Sequence, residues 1–96
     1  MDLKDLRAGM RGVNIQGKVI KKTEPKTVIV RKTGRKIKLS VATLEDETGK
    51  ATLVLWGDQV NEVSEGDQVT VRNGYVRAFR GELQVHIGRR GTLEVK

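Results

Sequence analysis

The stretch "GDQVNEVSEGD", residues 57–67, breaks the rhythm of the chain around it. On both sides apolar and polar residues alternate, the two-residue period of a half-buried strand. Here Val60 and Val63 stand three apart, with Asp58 at an N-cap position ahead of them. That spacing predicts a short helix or turn. One helical link among strands separates candidate folds, so the strands on either side have to be counted.

Upstream, "VNIQGKVI" (13–20) places Val13, Ile15 and Val19 on one face and Asn14, Gln16 and Lys18 on the other, with Gly17 expected at a bend or bulge. "KKTEPK" (21–26) interrupts with charge and the chain's one proline. "TVIV" (27–30) resumes as strand, and "RKTGRK" (31–36) predicts a hairpin turn around Gly34. In "KIKLSVATLED" (36–46), Ile37, Leu39 and Val41 are expected inward, and Lys36, Lys38 and Ser40 outward. "DETGK" (46–50) is a tight turn leading into the strand "ATLVLWG" (51–57). Downstream of the break, "QVTVRNGYVRAFRGELQVHIG" (68–88) gives two long strands turning at Arg80-Gly81, and "TLEV" (92–95) closes the chain. The sum is about five strands with one short helix between the third and fourth. That order predicts an all-β, five-stranded Greek-key barrel, the OB-fold; an SH3-like barrel, its competitor, usually lacks the helix. Residues 1–11 form an N-terminal cap in which Leu3, Leu6 and Met10 share a face, and residues 12–95 form the barrel of a single domain.

Composition narrows the function. With 96 residues and no cysteine, the core must be aliphatic, and neither a disulfide nor a thiolate metal site is expected. No apolar run reaches the ~18 residues of a membrane span, and no signal-peptide pattern opens the chain, so a cytoplasmic protein with no membrane partner is expected. Nineteen Lys and Arg against twelve Asp and Glu leave a net charge of +7, the sign that attracts a polyanion.

Only three aromatic rings are present, Trp56, Tyr75 and Phe79. Val69 and Val71 face the core, and strict alternation would carry Tyr75, Arg77 and Phe79 in after them, burying an arginine at considerable cost. A bulge at Asn73-Gly74 removes the conflict. Val76 and Ala78 then turn inward with Leu83, Val85 and Ile87, while Tyr75, Arg77, Phe79, Gln84 and His86 turn outward. Leu53 and Leu55 take the core side of their strand, so Thr52, Val54 and Trp56 take the other. Any one ring has a structural explanation, as a barrel cap or an edge cover. Three on one face, with Arg77 between two of them, match what single-stranded nucleic acid requires: rings to stack on bases and cations to follow phosphates. Arg31, Lys32, Arg35, Lys36 and Lys38 crowd the hairpin beside that face as an expected phosphate clamp, with Lys18 and Arg72 extending it. Catalysis finds no support. His86 is the lone histidine and, turned outward with Gln84, is expected to contact the nucleic-acid strand by stacking or hydrogen bonding and not as a general base. The carboxylates of "EDETG" (45–49) read as a solvated turn, and neither cofactor nor metal is expected.

"LRAGMRGVNIQGKVI" (6–20), "LEDETGKATLVLWGDQV" (44–60) and "VSEGDQVTVRNGYVRAFRGELQV" (63–85) together resemble archaeal single-stranded DNA-binding proteins of the one-OB-fold type, similar to the DNA-binding domains of replication protein A. The likeness covers roughly residues 3–93. It implies a non-catalytic monomer that binds single-stranded DNA in replication, recombination and repair alongside other proteins of those processes. It assigns base stacking to Trp56, Tyr75 and Phe79. Family members often carry tryptophan where this chain has Tyr75, and commonly end in a partly acidic tail that recruits partners. This chain stops at Lys96 after the barrel, so either a tail has been removed or that route is lacking. An RNA-binding OB module, and a protein-interaction subunit of a replication-protein-A-like complex, are the alternatives.

Overall fold

The computed structural model describes residues 1–96. After a 3-10 turn at Leu3–Asp5 come β1 (Arg11–Lys22), β2 (Lys26–Ile29), β3 (Lys36–Glu45), β4 (Lys50–Trp56), a four-residue helix α1 (Gln59–Glu62), β5 (Gln68–Phe79), β6 (Glu82–His86) and β7 (Thr92–Val95). Five strands pair in the order β1-β3-β4-β6-β5, and β5 returns to β1, so the sheet closes on itself. All pairings are antiparallel except β4 with β6. β2 adds to β3 and β7 to β5 as short edge strands. The helix falls between the third and fourth strands of the ring, which is the OB-fold order. No helix is long and apolar enough to cross a membrane.

The interior is a cluster of 16 buried residues, all of them Leu, Val, Ile or Ala. Leu3 and Leu6 of the N-terminal turn belong to it, with Met10 packed against it. That turn is fastened by Asp46, whose carboxylate accepts from the Leu3 N–H (3.0 Å), the Thr48 N–H (2.7 Å) and hydroxyl (2.6 Å), and the Gly49 N–H (3.0 Å). These donors stabilise the charged form and lower the Asp46 pKa to about 2. Val60 and Val63 of the α1 segment are fully buried. The Lys22 ammonium donates to the carbonyls of both, at 2.7 Å to Val63, and so closes the helix C-terminus. Asp58 stands at the N-terminal position without a side-chain cap bond.

The structure differs from the sequence expectation in β3, at Gly17 and at Ala78. Ser40 is fully buried, followed inward by Ala42 and Leu44, while Ile37, Leu39 and Val41 alternate onto the outer face. The serine is accommodated because its hydroxyl donates to the Thr23 carbonyl at 2.8 Å. Gly17 makes no bulge: Val13, Ile15, Gly17 and Val19 are buried in unbroken alternation. A Cβ at Gly17 would lie 3.0 Å from the Glu45 carbonyl oxygen, so its role is a close approach of two backbones. β1 is irregular instead at Gly12 and between Val19 and Lys21. Ala78 is exposed, because the β5–β6 hairpin overhangs the barrel before its Arg80-Gly81 turn, where both φ angles are positive (52° and 79°).

The register shift in β5 is present. Val71 pairs with Ile15 and Gly74 with Val13, three residues against two. Asn73, not Gly74, takes the left-handed conformation, with φ of 58°. Its N–H donates to Asn14 Oδ1 (3.0 Å) and its side-chain amide to the Arg90 carbonyl (3.2 Å). Gly74 is buried where a Cβ would lie 3.1 Å from the His86 carbonyl oxygen. Left-handed φ disfavours a β-branched residue, so Asn73→Val should be less stable than Asn73→Gly by about 1–2 kcal/mol. Both changes delete the amide, so the difference in urea unfolding free energy isolates the backbone. Equal stabilities would mean that the φ of residue 73 is unimportant.

Candidate nucleic-acid interface

Directly paired residues of a sheet share a face, so the register can be followed from strand to strand. One row runs Lys26, Leu39, Trp56. The next runs Val41, Val54, His86, Tyr75, Arg11. A third runs Thr43, Thr52, Gln84, Arg77, and Glu82 with Phe79 lies beyond it. β3, β4, β6 and the C-terminal half of β5 therefore present one continuous outer face carrying all three aromatic residues. Val54 is buried on this outer side between Val41 and His86, outside the core cluster, and gives the face an apolar floor.

The rings are spread out. Standard strand spacing and rise put Trp56 about 12 Å from Tyr75, and Tyr75 about 14 Å from Phe79. None shields another. Trp56 is 36% exposed and Phe79 55%, large fractions for rings that a core would bury. Tyr75 is half-buried because its ring stacks on His86, with centroids 5.2 Å apart and planes 11° from parallel. Burial of the His86 ring, reinforced by the positive charge of Arg77, pushes the imidazole pKa below its ordinary 6.5. His86 thus serves here as a neutral stacking surface. Glu82 accepts a hydrogen bond from the Thr52 hydroxyl, which engages a carboxylate at the face.

The basic residues divide. Arg77 and Gln84 lie within the rows. Arg31, Lys32 and Arg35 are exposed at the tip of the β2–β3 hairpin, with Arg35 two rows past Trp56, on the order of 14 Å along the strand. Lys36 and Lys38 alternate onto the reverse side of that hairpin. Lys18 and Arg72 are not brought to the face. Lys18 pairs with Gln68 and Glu45 on another wall, and Arg72 forms an ion pair with Glu94 (3.2 Å) in an acid-rich recess.

Three residues join the site only through the structure. Lys26 is in register with Trp56 across Leu39, and Arg11 is directly opposite Tyr75. The Arg80 guanidinium lies 5.2 Å from the Phe79 ring centroid, a cation–π contact that the adjacency "FR" at 79–80 alone could have suggested. No group of three or more His, Asp or Glu side chains is placed to hold a metal ion.

The family described as single-stranded DNA binding protein Ssb-like, OB fold, matches residues 6–95. The single-stranded DNA binding protein Ssb of Saccharolobus solfataricus is 32% identical over 84 residues, 88% of this chain and 55% of that protein. Replication factor A of Methanothermobacter thermautotrophicus is 32% identical over 85 residues, 84% of this chain and 11% of that protein. The chain thus spans about half the length of the first relative and about a tenth of the second. The replication factor A related protein of Methanobacterium thermoautotrophicum superposes with a TM-score of 0.81 at 29% identity, over 100% of this chain and 89% of that one. A replication protein A heterotrimer bound to single-stranded DNA gives a TM-score of 0.84 at 16% identity, over 100% of this chain and 24% of that one, a likeness of fold alone.

Because the folded state holds His86 below 6.5, it binds fewer protons than the unfolded chain once pH drops under that value. Stability should therefore fall as pH is lowered from about 6.5 toward the depressed value, with no contribution from this group above that window. His86→Gln should lose part of that decline. Melting temperatures measured from pH 8 to pH 5 check this; identical declines for wild type and variant would remove His86 as the cause.

Proposed function

Because the chain belongs to the Ssb-like family of OB-fold single-stranded DNA-binding proteins, we propose that it binds single-stranded DNA, with little sequence preference, on the outer face of β3, β4, β6 and β5. The observation that carries this reading is the register that lines up Trp56, Tyr75 on His86, and Phe79 over an apolar floor, with Arg77 among them. Bases stack on the three rings, and Arg77, Lys26 and the hairpin tip at Arg31, Lys32 and Arg35 neutralise phosphates. Stacking tolerates any base because every base has a π-face. Gln84 supplies a hydrogen-bonding group between the stacking positions. One domain of this size covers about 4–5 nucleotides. Its place is in replication, with recombination and repair as further settings, acting as a monomer beside the proteins of those processes.

Titration with a short oligothymidylate tests the mechanism. Each of Trp56→Ala, Tyr75→Ala and Phe79→Ala should weaken binding by about 1–3 kcal/mol, and affinity should fall as salt rises. Unchanged affinity in both Trp56→Ala and Phe79→Ala would rule out stacking. Competition with duplex DNA and with matched RNA then ranks the substrates, since stacking does not read the 2′-hydroxyl.

A further inference from the structure

The row through Tyr75 does not end at the ring. Arg11 lies opposite Tyr75, and beyond them opens a notch of about 440 Å³ lined by Arg11, Asn73, Tyr75, Gly88, Arg89 and Arg90 among others. Three arginines line it and no Asp or Glu does. None of the three arginines is neutralised elsewhere, because the chain's two ion pairs are Lys50 with Glu45 and Arg72 with Glu94. Like charges gathered at one cavity repel one another, and an anion seated among them relieves that repulsion.

The walls are built into the fold. Asn73 holds the far side through its bond to the Arg90 carbonyl, and the Gly91 N–H closes a turn onto the Gly88 carbonyl at 3.0 Å. Gly88 is close-packed against the tyrosine, since a Cβ there would lie 3.3 Å from Tyr75 Cε1. The turn carrying Arg89 and Arg90 is thus tied to the same bulge that aims Tyr75.

We propose that this notch is an anion subsite for a phosphate group of the strand stacked on Tyr75, placed past the edge of the aromatic face. Arginine suits the task because its planar fork grips phosphate through two parallel hydrogen bonds. The phosphate comes either from a phosphodiester of a strand that continues beyond Tyr75 or from a phosphorylated strand terminus. The proposal rests on the stacking reading for its direction, and on the three arginines for its chemistry.

The experiment compares wild type with the double variant Arg89→Gln, Arg90→Gln. The ligands are an oligothymidylate of about five nucleotides without terminal phosphates, the same strand phosphorylated at either end, and an unphosphorylated strand of about eight nucleotides. Wild type should gain about tenfold in affinity from a terminal phosphate or from the added length, the scale of one charge-assisted hydrogen bond. Which ligand gains identifies the source. The double variant should lose that gain, and its salt dependence should fall by about 0.7 in slope for the one phosphate released. Equal gains in wild type and variant overturn the subsite while leaving stacking intact. If no strand binds, the stacking reading fails and the subsite is decided by inorganic phosphate alone. That titration should shift the amide NMR signals of Gly12, Gly88 and Arg89 in wild type and not in the variant; unmoved signals in both overturn it.

Discussion

One extra residue in β5 turns Tyr75, Arg77 and Phe79 out of the core together. Val69 and Val71 point into the barrel at odd positions, Gly74 and Val76 at even ones, and Asn73 absorbs the difference in a left-handed conformation. In uniform alternation, Tyr75 and Arg77 would enter an interior that is aliphatic apart from Ser40, and an unpaired guanidinium there is costly. Asparagine suits the position because its short polar side chain tolerates that backbone and bonds locally. It is held from β1 through Asn14 and from the Gly88–Gly91 turn through Arg90, so the shift is fixed on both sides. The pairing of Tyr75 with His86 and of Phe79 with Glu82 follows from that fixed register.

The sequence is legible where one face of a strand is plainly polar. In β5 the arginine decides the direction of the rings, and in β4 the leucines at 53 and 55 leave only one side for Trp56. β3 is ambiguous because both of its faces are apolar. Ile37, Leu39 and Val41 are the bulkier set, yet Ala42 and Leu44 fill the core behind Ser40. A serine looks like an outward residue until its donor partner, the Thr23 carbonyl, is known. A warning was available in the same strand. Turning Val41 inward carries Thr43 and Glu45 in with it. The second apolar face packs on the outside of the barrel, where Leu39 pairs with Trp56 and Val41 with the buried Val54.

Charge is legible in amount but not in placement. Lys26 and Arg11 come from distant segments and reach the face only through strand pairing. Arg72 lies three residues from Tyr75 in sequence, yet it points to another wall, as Lys18 does. In a closed antiparallel sheet, neighbours across strands count for more than neighbours along the chain. The result is a lopsided molecule. The recess beside Arg72 collects Asp2, Glu45, Asp46, Glu47 and Glu94, while the Tyr75 notch is lined by three arginines and no Asp or Glu. A net charge of +7 distributed this way draws a polyanion toward one side and discourages its approach to the other.

The scarcity of aromatic residues then has a physical explanation. A domain of 96 residues without cysteine has only burial and hydrogen bonding to stabilise it, and large rings are the richest source of buried area. This chain builds its core from Leu, Val, Ile and Ala, closes the sheet through β1 and β5, and plugs one end with Leu3 and Leu6. Because the core needs no ring, Trp56 and Phe79 remain exposed and Tyr75 is covered only by the His86 ring and the Gly88 backbone. Folding therefore draws on aliphatic residues, and the three rings stand outside the cluster that holds the barrel together. With the rings outside the core, the orientation of Tyr75 is set by the backbone register of β5 and by its neighbours His86 and Gly88 instead of by core packing.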